Sequence, residues 1–187
     1  MEWKVSPARI DILFEGYAGE EGVAGTIGLV RDGSHVVVVD PGMVPDRRAI
    51  LTSMEGLDVR PDQVTEVVIS HHHPDHTVNV ALFPPVPLHD YWAIYERDRW
   101  TDRPAEGFSL SDNIRLMETP GHTRQDITTL VDTADGVVAF THLWWWEGIK
   151  DDPLAEDLDT LLAQRERVMA VADLIVPGHG PPFEPGR

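Results

Sequence analysis

The chain has 187 residues, 42% of them hydrophobic; that is enough for one buried core and short for two, so a single domain over 1–187 is expected. A formal charge of −17, from 32 acidic against 15 basic residues, repels polyanions and makes nucleic acid an unfavoured partner. The absence of cysteine excludes disulfides, a thiolate nucleophile and thiolate metal ligands.

Residues 11–17 and 23–30 read as two strands joined by the glycine-bearing stretch Ala18 to Gly22. Asp32-Gly33-Ser34 turns the chain into Val36-Val37-Val38-Val39, a run without polar alternation and therefore a strand covered on both faces. Asp40 closes it. Ile50, Leu51 and Met54 stand at helical spacing within 46–57, with Asp46 as the N-cap. A strand over 64–70 follows, and strand, helix and strand together imply parallel pairing.

A short helix is expected over 78–83, ended by Pro84-Pro85. Residues 88–107, with Tyr91, Trp92, Tyr95 and Trp100, are the least patterned part and are expected to form part of a substrate wall. Strands are expected over 108–118, 126–133 and 136–141, the last two joined by an Asp135-Gly136 turn. Leu154, Leu158, Leu161, Leu162, Val168 and Met169 make an apolar stripe along a helix over 153–172. Residues 174–176 are the final strand.

The densest chemistry lies in Ser70-His71-His72-His73-Pro74-Asp75-His76. Alternate residues of an extended segment share a side, so His71 and His73 can clamp one ion. Pro74 turns the chain, so Asp75 and His76 point elsewhere and serve a second ion. His72 has no place in either set.

This pattern, His71-x-His73-x-Asp75-His76 after an apolar strand, resembles the signature of the metallo-β-lactamase-fold hydrolases. Asp40 at a strand end, His122 in Thr119-Pro120-Gly121-His122-Thr123 and His179 in Val176-Pro177-Gly178-His179-Gly180 keep that family's order. The likeness runs from about residue 12 to residue 183 and implies an αββα sandwich of two mixed sheets flanked by helices. Residues alone give only α with mixed β.

Carried over, the resemblance places His71, His73 and His122 on a first metal, and Asp75, His76 and His179 on a second. It makes Asp40 an acceptor that orients the ligand loop, and it brings the loop around Glu20 and Glu21 over the site as a polar lid; a solvated hairpin end is the alternative. Zinc, one or two ions per chain, suits the nitrogen and oxygen donors, and iron or manganese is tolerated. The chemistry implied is attack by metal-bound hydroxide, with Asp75 orienting it and accepting a proton.

One position departs from the family. Where many members carry an Asp that bridges the metals, this chain has Phe140-Thr141-His142-Leu143. A neutral imidazole neither bridges ions about 3.5 Å apart nor offsets their charge, so a second ion should bind more weakly. Three roles stay open for His142: a terminal ligand of the second metal, a hydrogen-bond partner of the reacting group, or a residue of a one-metal site. Terminal ligation is the reading adopted.

Trp144, Trp145 and Trp146, together with Trp92, are expected to supply an apolar substrate wall; a run straddling a strand end points both ways, so one or two of them in the core and at least one in the pocket is the alternative. The chain's two lysines are Lys4 and Lys150, Arg48, Arg103 and Arg124 form no sequence cluster, and Glu147 follows the tryptophans. A small neutral ester, lactone, thioester or amide is therefore expected in preference to a phosphate ligand. A nuclease or phosphodiesterase is the alternative, followed by a mononuclear iron oxygenase or a non-catalytic metal-binding protein of the same fold. A homodimer is a further partner to consider. No apolar run approaches the roughly 20 residues of a membrane span, and the opening Met1-Glu2-Trp3-Lys4-Val5-Ser6-Pro7 carries no export pattern. The expected location is cytoplasmic.

Overall fold

The structure, a computed structural model, describes residues 6–186; Lys4 and most of the N-terminal segment read above lie outside them. Strands β1 (Arg9–Phe14), β4 (Ile27–Asp32), β5 (His35–Val39), β6 (Glu66–Val68), β7 (Leu88–His89), β8 (Ala93–Glu96) and β9 (Arg99–Asp102) form a seven-stranded sheet in that order. Strands β10 (Ile114–Glu118), β11 (Ile127–Thr133), β12 (Gly136–Thr141) and β13 (Leu174–Pro177) form a four-stranded sheet. Helices are α1 (Arg48–Gly56), α2 (Pro74–Thr77) and α3 (Leu158–Met169).

Alternation along the strands accounts for the layers. In β5, Val37 and Val39 face Ile114, Leu116, Val131 and Phe140 of the second sheet, whereas Val38 faces Ile50 and Met54 of α1. In the second sheet, Leu130, Ala139 and Ile175 turn outward onto Leu161 and Val168 of α3. Helix, sheet, sheet and helix are thus joined by three apolar layers, as period-two side-chain alternation requires of sheets covered on both faces. This is the αββα sandwich. Both sheets are mixed: β5 pairs parallel with β6 through the α1 crossover, and β12 pairs parallel with β13 through α3.

Several boundaries differ from the sequence reading for visible reasons. The expected first hairpin is interrupted: β1 pairs with β4, while β2 (Tyr17–Gly19) and β3 (Gly22–Ala24) form a separate two-stranded flap. Asp46 is not the N-cap of α1. That position is Arg47, and Asp46 accepts from the Arg48 amide at 2.9 Å one residue earlier.

The strand expected over 108–118 shortens to β10, because residues 108–113 turn back with Ser111 and Asn113 tied to Asp32 at 2.6 and 2.8 Å. Helix α3 starts at Leu158 behind an Asp157 cap on the Thr160 amide at 3.0 Å; the residues before it are used in a turn around Asp152. The unpatterned 88–107 segment holds the β8–β9 hairpin at the sheet edge.

Candidate metal centre

The candidate ligands come from the same end of both sheets. Asp40 follows β5, His71 and His73 follow β6, Asp75 and His76 sit on α2, His122 lies in the β10–β11 turn, and His142 and His179 follow β12 and β13. Close backbone contacts lock these loops together. The Gly25 amide and the Met43 amide both donate to the Asp75 carbonyl at 3.1 Å, and the Thr26 amide donates to the Gly178 carbonyl at 2.8 Å. A Cβ at Gly42 would collide with that same Asp75 carbonyl.

His71 Nε2, His73 Nδ1 and His122 Nε2 converge, with His73 Nδ1 3.0 Å from each of the other two. Nearby, Asp75 Oδ2 lies 3.5 Å from both His76 Nε2 and His179 Nε2. Two ligand atoms on one tetrahedral ion at about 2.0–2.1 Å lie roughly 3.3 Å apart. The distances to His73 Nδ1 and to Asp75 Oδ2 lie on either side of that value, and all the ligand atoms of each set fall within 4.8 Å of one another.

Outer partners decide which nitrogens carry lone pairs. Ser70 Oγ donates to Asp40 Oδ2 at 2.7 Å, so His71 Nδ1, 3.0 Å from Ser70 Oγ, is its donor. His76 Nδ1 donates to Asp40 Oδ2 at 3.0 Å, His122 Nδ1 to Asp152 Oδ2 at 2.6 Å, and His179 Nδ1 to the Ala24 carbonyl at 2.9 Å. In its neutral form each of these four rings therefore turns an Nε2 lone pair inward. His76 Nε2 is buried with no hydrogen-bond partner among the described residues. Facing lone pairs without protons need a cation, and the residues fit a divalent metal.

Burial first, then the neighbouring histidines, holds His71 and His142 well below the usual imidazole range, and burial also lowers His73 and His179. Neutral rings keep their lone pairs available. His76 is raised instead: burial pulls it down, but the Asp40 carboxylate, its hydrogen bond and Asp75 outweigh that. Burial pushes the Asp126 carboxyl up to about 6, against hydrogen bonds from Thr123.

His142 lies at the centre. Its ring is 4.1 Å from that of His122, 4.6 Å from His71, 4.8 Å from His76 and 5.1 Å from His179, centroid to centroid. Its Nε2 is 3.1 Å from His179 Nε2, and its Nδ1 is buried without a hydrogen-bond partner among the described residues. Gly178 makes room for it, since a Cβ there would strike the imidazole.

Asp40 bends the chain at φ 51° and accepts from the Ser70 amide at 2.6 Å, as well as from Ser70 Oγ and His76. Asp152 was not foreseen from sequence. It lies far from His122 in the chain, and only the wrap of the 143–157 loop brings them together.

The centre opens into a cavity of about 460 Å³ lined by His73, Asp75, Val23, Trp145, Trp146 and Leu154, among others. Ala18 and Gly19 of the flap also line it, but the tip residues Glu20 and Glu21 do not, so the flap presents an apolar surface and not a polar lid. The other two expected wall tryptophans are elsewhere. Trp144 is buried against Phe183 under the Arg165 guanidinium, on the core side of the irregular turn that follows β12. Trp92 is exposed and stacks on His72, and the β8–β9 hairpin stands away from this cavity. The arginines considered for phosphate are not in it either: Arg103 donates to the Asp90 carbonyl, and Arg124 pairs with Glu156.

The sequence pattern described as the Metallo-beta-lactamase superfamily matches residues 21–182. The chain belongs to that superfamily. It is 34% identical over 192 residues to Metallo-beta-lactamase domain-containing protein 1 of Xenopus laevis, covering 95% of this chain and 82% of that protein. It spans less of the human protein of that name, 59% of its length.

Among solved structures, a metallo-beta-lactamase candidate from Thermotoga maritima superposes with TM-score 0.76 at 20% identity, covering 96% of this chain and 100% of that one. A quorum-quenching N-acyl homoserine lactone lactonase does so with TM-score 0.67 at 16% identity, covering 96% and 94%. At such identities the likeness to the two solved structures is one of fold. The superfamily's fold is hydrolase-like, and among the described residues no helix is long and apolar enough to cross a membrane.

Proposed function

We propose that this superfamily member is a metal-dependent hydrolase acting on a small, neutral ester, lactone, thioester or amide. The observation that carries the proposal is the union of inward-facing imidazole lone pairs with a cleft whose lining, among the described residues, contains Val23, Trp145, Trp146 and Leu154 but neither lysine nor arginine. Such walls bind apolar groups and leave a phosphate without a side-chain counter-charge. The fold-level likeness to a lactonase agrees with this class.

When bound, one or two divalent ions, zinc in the first instance, supply Lewis acidity and ionise water near neutral pH. His71, His73 and His122 would hold one ion, and Asp75, His76 and His179 the other. The 3.1 Å spacing of His142 Nε2 and His179 Nε2 supports His142 as a terminal ligand of the second. Asp75 orients the attacking water and takes up its proton at the carboxylate oxygen not turned toward His76 and His179. Trp145, Trp146 and Leu154 bind the apolar part of the substrate and exclude bulk water.

The test is metal analysis of protein purified without chelator or added metal, followed by a panel of aryl esters, lactones, thioesters and aryl phosphodiesters. At least one metal per chain, with turnover of neutral acyl substrates lost on chelation, is expected. Turnover confined to phosphodiesters would reassign the protein as a nuclease or phosphodiesterase, and bound iron with oxygen consumption would reassign it as an oxygenase.

A further inference from the structure

His72 is the one histidine of the 71–76 run that faces away from the metal centre. It is exposed, its ring stacks on Trp92 with centroids 5.6 Å apart at 29°, and its Nε2 lies 2.9 Å from Asp90 Oδ2. Asp90 is 1% exposed and rigidly held. Its carboxylate accepts from the Trp92 and Ala93 amides at 2.8 and 2.9 Å and from Tyr95 Oη at 2.9 Å, and its carbonyl accepts from Arg103 at 2.7 Å. The first sheet thus extends a fixed anion beyond the end of β7, and the histidine loop is fastened to it.

What the fastening serves follows from His73. His71, His76, His122 and His179 each have an outer hydrogen bond that fixes the ring, to Ser70, Asp40, Asp152 and the Ala24 carbonyl. His73 turns Nδ1 inward, and among the described residues its outer nitrogen has no protein partner. It is also exposed, unlike those four rings. Its placement therefore depends on backbone held at both sides. On the C-terminal side, the His73 carbonyl accepts from the His76 amide at 3.0 Å and from Thr77 Oγ1 at 3.2 Å. On the N-terminal side, the adjacent hold is His72 on Asp90.

We propose that His72 and Asp90 are a positioning pair for the first metal site, setting His73 in place of the outer hydrogen bond that its own ring lacks. This rests on the reading that His71, His73 and His122 hold a metal. The pair touches neither metal nor substrate. Its effect is to narrow the range of His73 Nδ1 positions, which acts on the affinity and geometry of the ion at that site.

The test uses the full chain titrated with cobalt(II), whose visible absorption reports ligand geometry, for wild type, His72→Ala, His72→Gln and Asp90→Asn. Removal of an outer hydrogen bond lowers metal affinity by about 10- to 100-fold. His72→Ala is expected to weaken one of the wild-type binding steps by about tenfold and shift its absorption band, with the thermal midpoint of metal-free protein unchanged. His72→Gln, which can still donate to Asp90, is expected to restore most of both, and Asp90→Asn to resemble the alanine variant. Isotherms and spectra of His72→Ala that superimpose on wild type would overturn the proposal, as would a weakening matched by loss of metal-free stability without a spectral shift. A wild-type chain that binds no cobalt would overturn the metal reading itself, and this proposal with it.

Discussion

Asp152 Oδ2 lies 2.6 Å from His122 Nδ1, both side chains almost wholly buried. The same carboxylate caps the Leu154 amide at 2.9 Å through Oδ1, so one residue ties a candidate metal ligand to the loop that carries part of the cleft wall. Asp152→Ala frees the His122 ring to rotate and removes the acceptor that fixes its tautomer. Metal affinity measured against a competing chelator is expected to fall about 10- to 100-fold, and retained affinity would show the contact to be structural only.

His142 stands where a bridging carboxylate would bring charge. Replacing it by Asp restores that charge, so His142→Asp is expected to hold a second ion more tightly than wild type. His142→Ala is expected to lose the second ion at limiting zinc. Metal content per chain, measured on the three proteins in parallel, decides the matter; an alanine variant as fully loaded as wild type would remove His142 from the ligand set.

Gly42 packs its α-carbon against the Asp75 carbonyl, which also accepts the Gly25 and Met43 amides. A methyl group there must push α2 outward, taking Asp75 and His76 with it, since backbone cannot yield as a side-chain tip does. Gly42→Ala is expected to abolish binding of the second ion and to destabilise the fold by about 1–3 kcal/mol, read from metal content and urea melts. Unchanged metal content would mean that the loop relaxes without moving α2.

His89 lies outside the metal centre, 4% exposed, with neither ring nitrogen hydrogen-bonded among the described residues and Nε2 3.9 Å from the Glu66 carboxylate. Burial first, then the Arg103 cation, lowers its pKa from 6.5 to about 4. The folded state therefore binds fewer protons than the unfolded state between those values, so stability rises with pH across that window and is flat above it. Up to about 3 kcal/mol is lost on acidification through it. Urea melts of wild type and His89→Gln between pH 4 and 7 are expected to show a shallower pH slope in the variant.

Trp146 and Leu154 are 39% and 63% exposed at the cleft. Truncating either removes apolar contact made in ground and transition states alike, so KM should rise with little change in kcat. For an apolar acyl substrate, Leu154→Ala is expected to raise KM by about tenfold, the worth of about 1.5 kcal/mol of side-chain burial. A fall in kcat at constant KM would place the residue in the chemistry instead.

The sequence by itself determined the elements that bear ligands. Short β-branched runs such as Val36 to Val39, bounded by turn residues, read as buried strands, and the apolar runs that end just before His71, His142 and His179 placed these at strand ends. Close spacing made the relation among His71, His73, Asp75 and His76 local, and therefore readable. The tertiary structure alone decided what depends on loops meeting across the sandwich: the Asp152 partner of His122, the Asp90 partner of His72, and the turn that sends Trp145 and Trp146 into the cleft and Trp144 into the core. Those choices rest on which face an irregular segment turns inward. Packing sets that face, and no period in the residues records it.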